Sequence, residues 1–400
     1  MKFNTMDDFE FKGKYVILRV DINSPVIDGK VQDSMRIRRH SLTIKELIEK
    51  GARVTVIAHQ GRKGDKDFTD LDQHAHLLSK HVGRDIIYVD DIYGDVAKEE
   101  IKSLKDGDCI LLKNLRYLDE EVQEKSPEEH SKSEMIQELY PLFDFFINDA
   151  FSAAHRSHMS MVGFVPVLKS IAGRVMESEI KSIERVTENV KHPALLIVGG
   201  SKPDEVIDVM KALLPRKEVD NVLTGGVVGE LFLIAAGYDL GKKMEWLEEK
   251  GHMKRMDEIK ELFHLFRNKI QIPQDLAFDM NGKRVEKRVE FLPVDCNSFD
   301  IGSETVKAYK EMIKKARTIT MKGPMGEFED ERFGKGTLEI LRAIKRSHAF
   351  SLLGGGHTSM LLKHFKLDEK GIGYVSIAGG ALIKMLSGEK LPAVEALRID

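Results

Sequence analysis

Short β-branched or apolar runs, each followed by a longer stretch with helical periodicity, recur along this chain. In the first half they fall at 15–20, 54–58, 86–89, 110–112 and 143–147. Strands separated by connections long enough to hold a helix pair in parallel, so the alternation predicts an α/β fold, a parallel sheet covered by helices. One helix is clear in SLTIKELIEKG, where Ile44, Leu47 and Ile48 share a face and Gly51 can supply the left-handed residue that ends it. A chain of 400 residues exceeds what one hydrophobic core usually spans, so two domains are expected.

The chemistry recurs just past the strands. RVDINSP carries Asp21 and Asn23, IAHQGR carries His59 and Arg62, and LLKNLRY carries Arg116. The segment NDAFSAAHRSHMS at 148–160 follows an apolar run and brings His155, Arg156 and His158. Open α/β sheets bind ligands at the carboxyl ends of their strands, so four strand ends would converge on one edge. Arg36, in SMRIRRH after a turn-rich segment, could join them and complete a pocket of guanidinium groups that clamp phosphate or carboxylate. Any one of these arginines could be an ordinary surface ion pair, but solvated charges have no reason to prefer equivalent strand ends.

Other polar features read as scaffold. His74, His76 and His81 follow helical spacing without a cysteine or paired carboxylate beside them, so surface positions are expected rather than a metal site. The charge-rich segment 120–134, with Pro127, reads as a solvated loop leading into a helix, without function. A net charge of −3 offers no broad positive field for nucleic acid or an anionic membrane, which leaves a small anion held locally as ligand. Cys109 and Cys296 stand far apart, giving neither a disulfide framework nor a zinc cluster. With no apolar run of ~20 residues and a polar, acidic opening, the expectation is a cytoplasmic protein.

From Leu168 through Ile171, Val175, Ile180 and Ile183 to Val186 the apolar spacing is helical, predicting a connecting helix over 168–190. Beyond it the strand ends carry glycine: LLIVGGSKPDE, VLTGGVVGELF, ITMKGPMGEFED, FSLLGGGHTSM and YVSIAGGALI. Glycine lets backbone N–H groups approach a ligand, and the following helix N-terminus is positively polarised, so five such loops point to a nucleotide site. No GxxxxGK[ST] occurs, and no GxGxxG with a suitably spaced acid, so neither a P-loop nor a dinucleotide fold explains the glycines. The stretch 244–266 reads as helix, with Trp246 as a core contact.

An arginine pocket in one half and glycine loops in the other would suit phosphate transfer between a small acid and a nucleotide. At this point the chain resembles the phosphoglycerate kinases: RVDINSP, AHQGR, LLKNLRY, NDAFSAAHRSHMS, GGSK, TGG, KGPMGEFE, FGKGT, GGGHT and LPAVEAL occur in that family's order. The resemblance implies two doubly wound parallel-sheet, Rossmann-like domains facing a cleft and joined by a hinge helix. The first would span 1–167 with a returning segment 387–400, the second 191–386. It also implies that Asp21, Asn23, Arg36, His59, Arg62, Arg116 and Arg156 hold 3-phosphoglycerate. Lys202, Gly225, Gly226, Lys322, Glu329, Gly354, Gly355, Gly356, His357 and Thr358 would hold ATP or ADP, with Arg36 and Lys202 catalytic. Mg²⁺ would be carried mainly by the nucleotide phosphates rather than by a protein ligand set. The implied reaction is a reversible step of glycolysis and gluconeogenesis, performed by a monomer or a homodimer.

Four departures accompany the match. Val206 stands where the family often has a second lysine, Lys322 replaces the Asn of NGP, His357 replaces a metal-associated acid, and Ala378 falls in SIAGGA. Several resemble the archaeal branch of the family. The alternative they leave open is a catalytically inactive nucleotide- and phosphate-binding protein of the same fold.

Overall fold

The computed structural model describes residues 1–355 and 358–399, and divides the chain into two compact units. The first comprises Met1–Lys181 and Lys390–Asp400. Its six-stranded sheet runs in the order Ile87–Val89, Cys109–Leu112, Arg53–Ile57, Tyr15–Arg19, Phe145–Asn148, Lys169–Ala172. Every pairing is parallel. Alternate residues of the first strand enter separate cores, Val16 and Leu18 on one face and Ile17 on the other, which is why the strand is apolar throughout. The chain starts at the centre, builds outward to one side and then returns to the other, so the order reverses between Tyr15–Arg19 and Phe145–Asn148. Such a reversal opens a crevice beyond the strand ends.

The C-terminal segment packs on this unit. Helix Pro392–Leu397 is fixed by the Ala393 N–H on the Ala154 carbonyl at 3.1 Å, and Ile399 donates to the Lys2 carbonyl at 3.0 Å. The expected helix over 168–190 is corrected: Lys169–Ala172 is a strand, and the helix runs Arg174–Thr187. Ile171 fits both periodicities, and parallel pairing with Phe145–Asn148 decides for the strand. Between them Gly173 lies so close to the Asp149 carboxylate that a Cβ could not fit, and Asp149 caps the helix by accepting the Val175 N–H at 2.7 Å.

The second unit, Ser182–Glu389, repeats the design. Its parallel sheet runs Ile270–Gln271, Asn221–Thr224, Ala194–Val198, Thr318–Lys322, Phe350–Gly354, Tyr374–Val375, with the reversal between the third and fourth. An antiparallel sheet of Asp275–Met280, Lys283–Arg288 and Ser298–Ile301 is added, which the alternation did not anticipate. Its signal was present: Asn281 and Gly282, at φ 55° and 78°, form the tight Asn-Gly turn of a hairpin. The expected helix over 244–266 is two, Lys242–Glu249 and Met256–Phe266, broken at left-handed Gly251.

Candidate active site

The crevice of the first unit is built on a buried cation. Arg19, the last residue of the central strand, is 1 % exposed. Its Nε donates to Ser160 Oγ at 2.8 Å, Nη1 to the Val20 carbonyl, and Nη2 contacts His59 Nδ1 at 2.9 Å. Because a guanidinium can only donate, His59 must accept at Nδ1 and carry its proton on Nε2. Burial pushes His59 well below its usual range, with Arg19, Arg116 and Arg156 adding to the effect against Asp21. Beneath Arg19, Glu121 is buried and accepts from both the backbone (2.9 Å) and hydroxyl (2.6 Å) of Ser160, with Arg19 Nη2 at 3.8 Å.

Asp21 is the carboxylate of the crevice floor. Burial alone would raise its pKa, but Arg36, the Ser152 hydroxyl and Arg19 outweigh it and hold the carboxyl well below the usual range. Arg36 Nη1 contacts it at 2.9 Å from the first turn of helix Met35–Glu49, so the turn-rich segment ends in a capped helix rather than a loop. Asn23 donates its N–H to Asp21 and accepts the Gly61 N–H at 3.3 Å. Arg116 is 7 % exposed; Nη1 donates to the Gly61 carbonyl at 2.8 Å, while Nε is buried without a partner among the described residues. Arg62 is exposed, and no hydrogen bond holds the Arg156 side chain among the described residues.

These cations repel one another. Burial lowers the pKa of Arg156, and Arg62 and Arg36 lower it further; burial, Arg156, Arg19 and Arg62 act likewise on Arg116. His158 is pushed down to about 3 by burial and then by Arg156, Arg116 and Arg19. A cluster whose fixed groups raise one another's electrostatic cost is completed by a multiply charged anion. His40 joins the crevice to the connecting helix, with Nδ1 at 2.8 Å from Asp149 and Nε2 at 3.4 Å from the Asp21 N–H.

The second unit holds a cavity of about 590 Å³ at its own strand reversal. One part of the lining is backbone: Gly199, Gly200, Gly226, Gly323, Gly354 and Gly355. The loops are tied together, Gly200 N–H to the Pro324 carbonyl and Gly226 N–H to the Met325 carbonyl, both at 2.7 Å. Gly226 has φ +54°, and a Cβ on it would stand 2.9 Å from Gly200 N. The other part is polar and aromatic side chains: Glu230, Lys243, Trp246, Asn297, Ser298 and Phe299.

Two lysines face the cavity differently. Lys202, exposed at the start of helix Pro203–Leu213, has no partner among the described residues. Lys322 Nζ is held by Glu205 at 2.6 Å; burial lowers its pKa, which Glu205 opposes and Lys202 reinforces. Val206 lies fully buried in the helix core and turns no group toward the cavity. Glu327 and Glu329 also line the cavity and offer the hard oxygen donors that suit a magnesium-nucleotide. No group of three or more His, Cys, Asp or Glu that could hold a metal occurs among the described residues.

Of the residues expected to bind nucleotide, Lys202, Gly226, Lys322, Glu329, Gly354 and Gly355 line this cavity. Gly225 does not: it caps helix Gly226–Ala235, packed where a Cβ would stand 2.7 Å from Met325 Sδ. Gly356 and His357 lie outside the described residues, and Thr358 opens helix Thr358–His364. Three scaffold readings need correction. His74 is not at the surface but fully buried, Nε2 on Gln60 at 3.0 Å, because Gln60 supplies a partner from the preceding strand end. The segment 120–134 is no solvated loop throughout, since it delivers Glu121 under Arg19 and caps helix Pro127–His130 with Ser126. Trp246 lines the cavity rather than only the core. Arg19 and Glu121 were missed because nothing in a charge run or an apolar strand marks which member will turn inward.

Both sites stand at strand reversals, and known proteins share the fold. The family described as phosphoglycerate kinase matches residues 6–389. A phosphoglycerate kinase of Methanopyrus kandleri is 45 % identical over 395 residues, covering 98 % of this chain and 97 % of its own. One from Methanothermobacter thermautotrophicus is 45 % identical over 399 residues, covering 99 % and 97 %. The crystal structure of phosphoglycerate kinase from Pyrococcus horikoshii superimposes with a TM-score of 0.90 at 39 % identity, covering 98 % of each chain. With the arginine crevice and the glycine-lined cavity each at a switch point of a matching fold, the chain belongs to the phosphoglycerate kinase family.

Proposed function

We propose that the arginine crevice holds 3-phosphoglycerate, that the glycine cavity holds ATP or ADP, and that phosphate passes directly between the C1 carboxylate and the nucleotide. The observation that carries this reading is the crowding of Arg36, Arg62, Arg116 and Arg156 on one another, with Asp21 countering Arg36 and Arg156, more positive charge than the fold itself neutralises. Phosphoryl transfer needs little covalent chemistry from the protein, so catalysis rests on positioning and on neutralising charge. Arg116 and Arg156 bind and orient the acid. Arg36, on a helix turn, reaches toward the transferring group; Lys202, without a partner among the described residues, meets the nucleotide phosphates. Glu327 and Glu329, in the cavity lining, would offer oxygen donors to a nucleotide-borne Mg²⁺, which would supply neutralisation of the phosphate charge.

Direct transfer requires reacting atoms to come within roughly 3 Å, so both ligands must be brought together with water excluded. This is a step of glycolysis and gluconeogenesis, which places the protein in the cytoplasm; no helix of the described residues is long and apolar enough to cross a membrane. Nothing in the reaction needs a second copy, so a monomer suffices, although a homodimer would serve equally. No observation favours an inactive binding protein. A coupled assay should show ATP-dependent phosphorylation of 3-phosphoglycerate, and a pure, folded protein without it would overturn the assignment.

A further inference from the structure

Two buried amides join the strand ends that carry the crevice arginines. Gln60 and Asn114 are both fully buried. The Gln60 side chain pairs with both backbone groups of Ser24, accepting the N–H at 2.8 Å and donating to the carbonyl at 2.9 Å, as a neighbouring strand would. Its Nε2 also donates to the Asp67 carbonyl at 2.9 Å, which closes the loop bearing Arg62. That loop has no slack, because a Cβ on Gly61 would stand 2.6 Å from the Phe68 backbone. Asn114 grips the Gln60 backbone, Oδ1 accepting its N–H at 3.2 Å and Nδ2 donating to its carbonyl at 2.8 Å. The same Oδ1 accepts the Arg116 N–H at 3.1 Å. Ser24 Oγ meets Ser34 Oγ at 2.7 Å, and Ser34 caps the helix that presents Arg36. Arg36, Arg62 and Arg116 therefore each stand two residues beyond Ser34, Gln60 and Asn114, all members of one network.

We propose that Gln60 is a positioning residue of the acid-binding crevice, setting the elements of Arg36, Arg62 and Arg116 to one spacing, and that His74 is the donor that fixes it. The inference rests on the crevice being the 3-phosphoglycerate site. The Ser24 and Asp67 carbonyls need the amide nitrogen on their side, so Gln60 Oε1 is the atom that faces His74 Nε2 at 3.0 Å. An oxygen can only accept there, so His74 donates from Nε2 and leaves Nδ1 bare. That nitrogen is buried without a partner among the described residues, and burial keeps the ring uncharged, with its pKa pushed down to about 4. Both side chains are fully buried, so they act through the arginines rather than on the acid. Guanidinium groups clamp an anion bidentately only at the right spacing, so a displaced element weakens the acid and leaves the nucleotide cavity of the other unit alone.

Steady-state kinetics with each substrate varied in turn, well below the melting temperature of every variant, tests this. His74→Leu leaves Gln60 Oε1 with one donor; it should raise the KM for 3-phosphoglycerate by ~10-fold and keep the KM for ATP within about twofold. In His74→Gln the amide nitrogen takes the place of Nε2, which should return the KM for the acid to within about twofold of wild type. Gln60→Met, which removes every side-chain bond of the network's centre, should raise that KM by ~10²-fold. If Gln60→Met does not fold, the two His74 variants decide alone. A KM for the acid that does not move in His74→Leu, or moves together with the KM for ATP, would overturn the inference and leave the crevice as the acid site. Failure of His74→Gln to restore it would mean that His74 only packs, and would overturn it equally. A folded wild type with no turnover of 3-phosphoglycerate would overturn the functional reading, and this inference with it.

Discussion

The two units bind charge by opposite means on the same kind of sheet. In the first, the crevice is made of side chains: buried Arg19 is anchored by Glu121 and Ser160, and further arginines crowd around one carboxylate. In the second, glycine loops bonded to one another present their backbone, and the charged side chains that join them are lysines balanced by glutamates. Desolvating guanidinium groups is costly and is met during folding by buried countercharges, whereas backbone N–H groups lie at the strand ends in any case. A pocket of fixed side chains suits one small anion of constant shape. A backbone cradle suits a phosphate chain that enters and leaves as triphosphate or diphosphate. The contrast also says which changes should hurt: removal of side chains in the first unit, and altered compensation between the lysines in the second.

The largest expected effect is at Arg36. Because it alone of the crevice arginines comes from the first turn of an α-helix, Arg36→Ala should lower kcat by ~10²-fold or more. A raised KM at unchanged kcat would show that Arg36 only holds ground-state acid and would erase its distinction from Arg116.

Next, Lys322→Asn should lower kcat by ~10-fold, since Lys322 and Lys202 are the lysines beside the glycine loops of a cavity from which Val206 is buried away. Glu205→Gln, which frees Lys322 Nζ, should tighten Mg-free ATP. Wild-type kinetics in Lys322→Asn would leave the backbone and Lys202 to do the work.

Acid should separate the units. In the first, burial holds His74 at about 4 and His158 at about 3, against an ordinary 6.5. Their folded pKa values are depressed, so their stabilising share is full above pH 6.5 and is lost as pH falls through about 4 and then 3. For His74 this amounts to about 3 kcal/mol. In the second unit burial raises Asp300 from 3.8 to about 6, against Arg284 and the Gly336 N–H. That group gains as pH falls from 6 toward 3.8, the reverse sign. Tryptophan fluorescence, which reports only the second unit through Trp246, should therefore persist to lower pH than the far-ultraviolet circular dichroism of the whole chain. His74→Gln should narrow the gap; coincident transitions in the wild type would refute the contrast.

The smallest effect is in scattering. If both ligands must be enclosed together, the radius of gyration should fall by a few per cent more with 3-phosphoglycerate plus Mg-nucleotide than with either alone. Arg156→Ala should blunt that fall. Four identical profiles would point to sites that need no closure.

How legible was this molecule? The strand ends were: Asp21, His59, Arg116 and Arg156 follow strands whose β-branched runs mark them locally, and the motif order led to the family. His74 illustrates the limit, because helical spacing cannot tell a solvent face from one turned toward Gln60. The strand Lys169–Ala172 illustrates another, since four residues can satisfy two periodicities at once.

What the sequence determined by itself was therefore the alternation of strands and helices, the two kinds of strand end and the chemistry each could carry, all written in spacings of a few residues. What only the tertiary structure decided was pairing at long range. Glu121 beneath Arg19, Asp149 capping the connecting helix, Glu205 on Lys322 and Ser298 on Glu230 each join residues far apart in the chain. The physical reason is that local propensity acts between neighbours, whereas burial and charge compensation depend on which surfaces the whole chain removes from water.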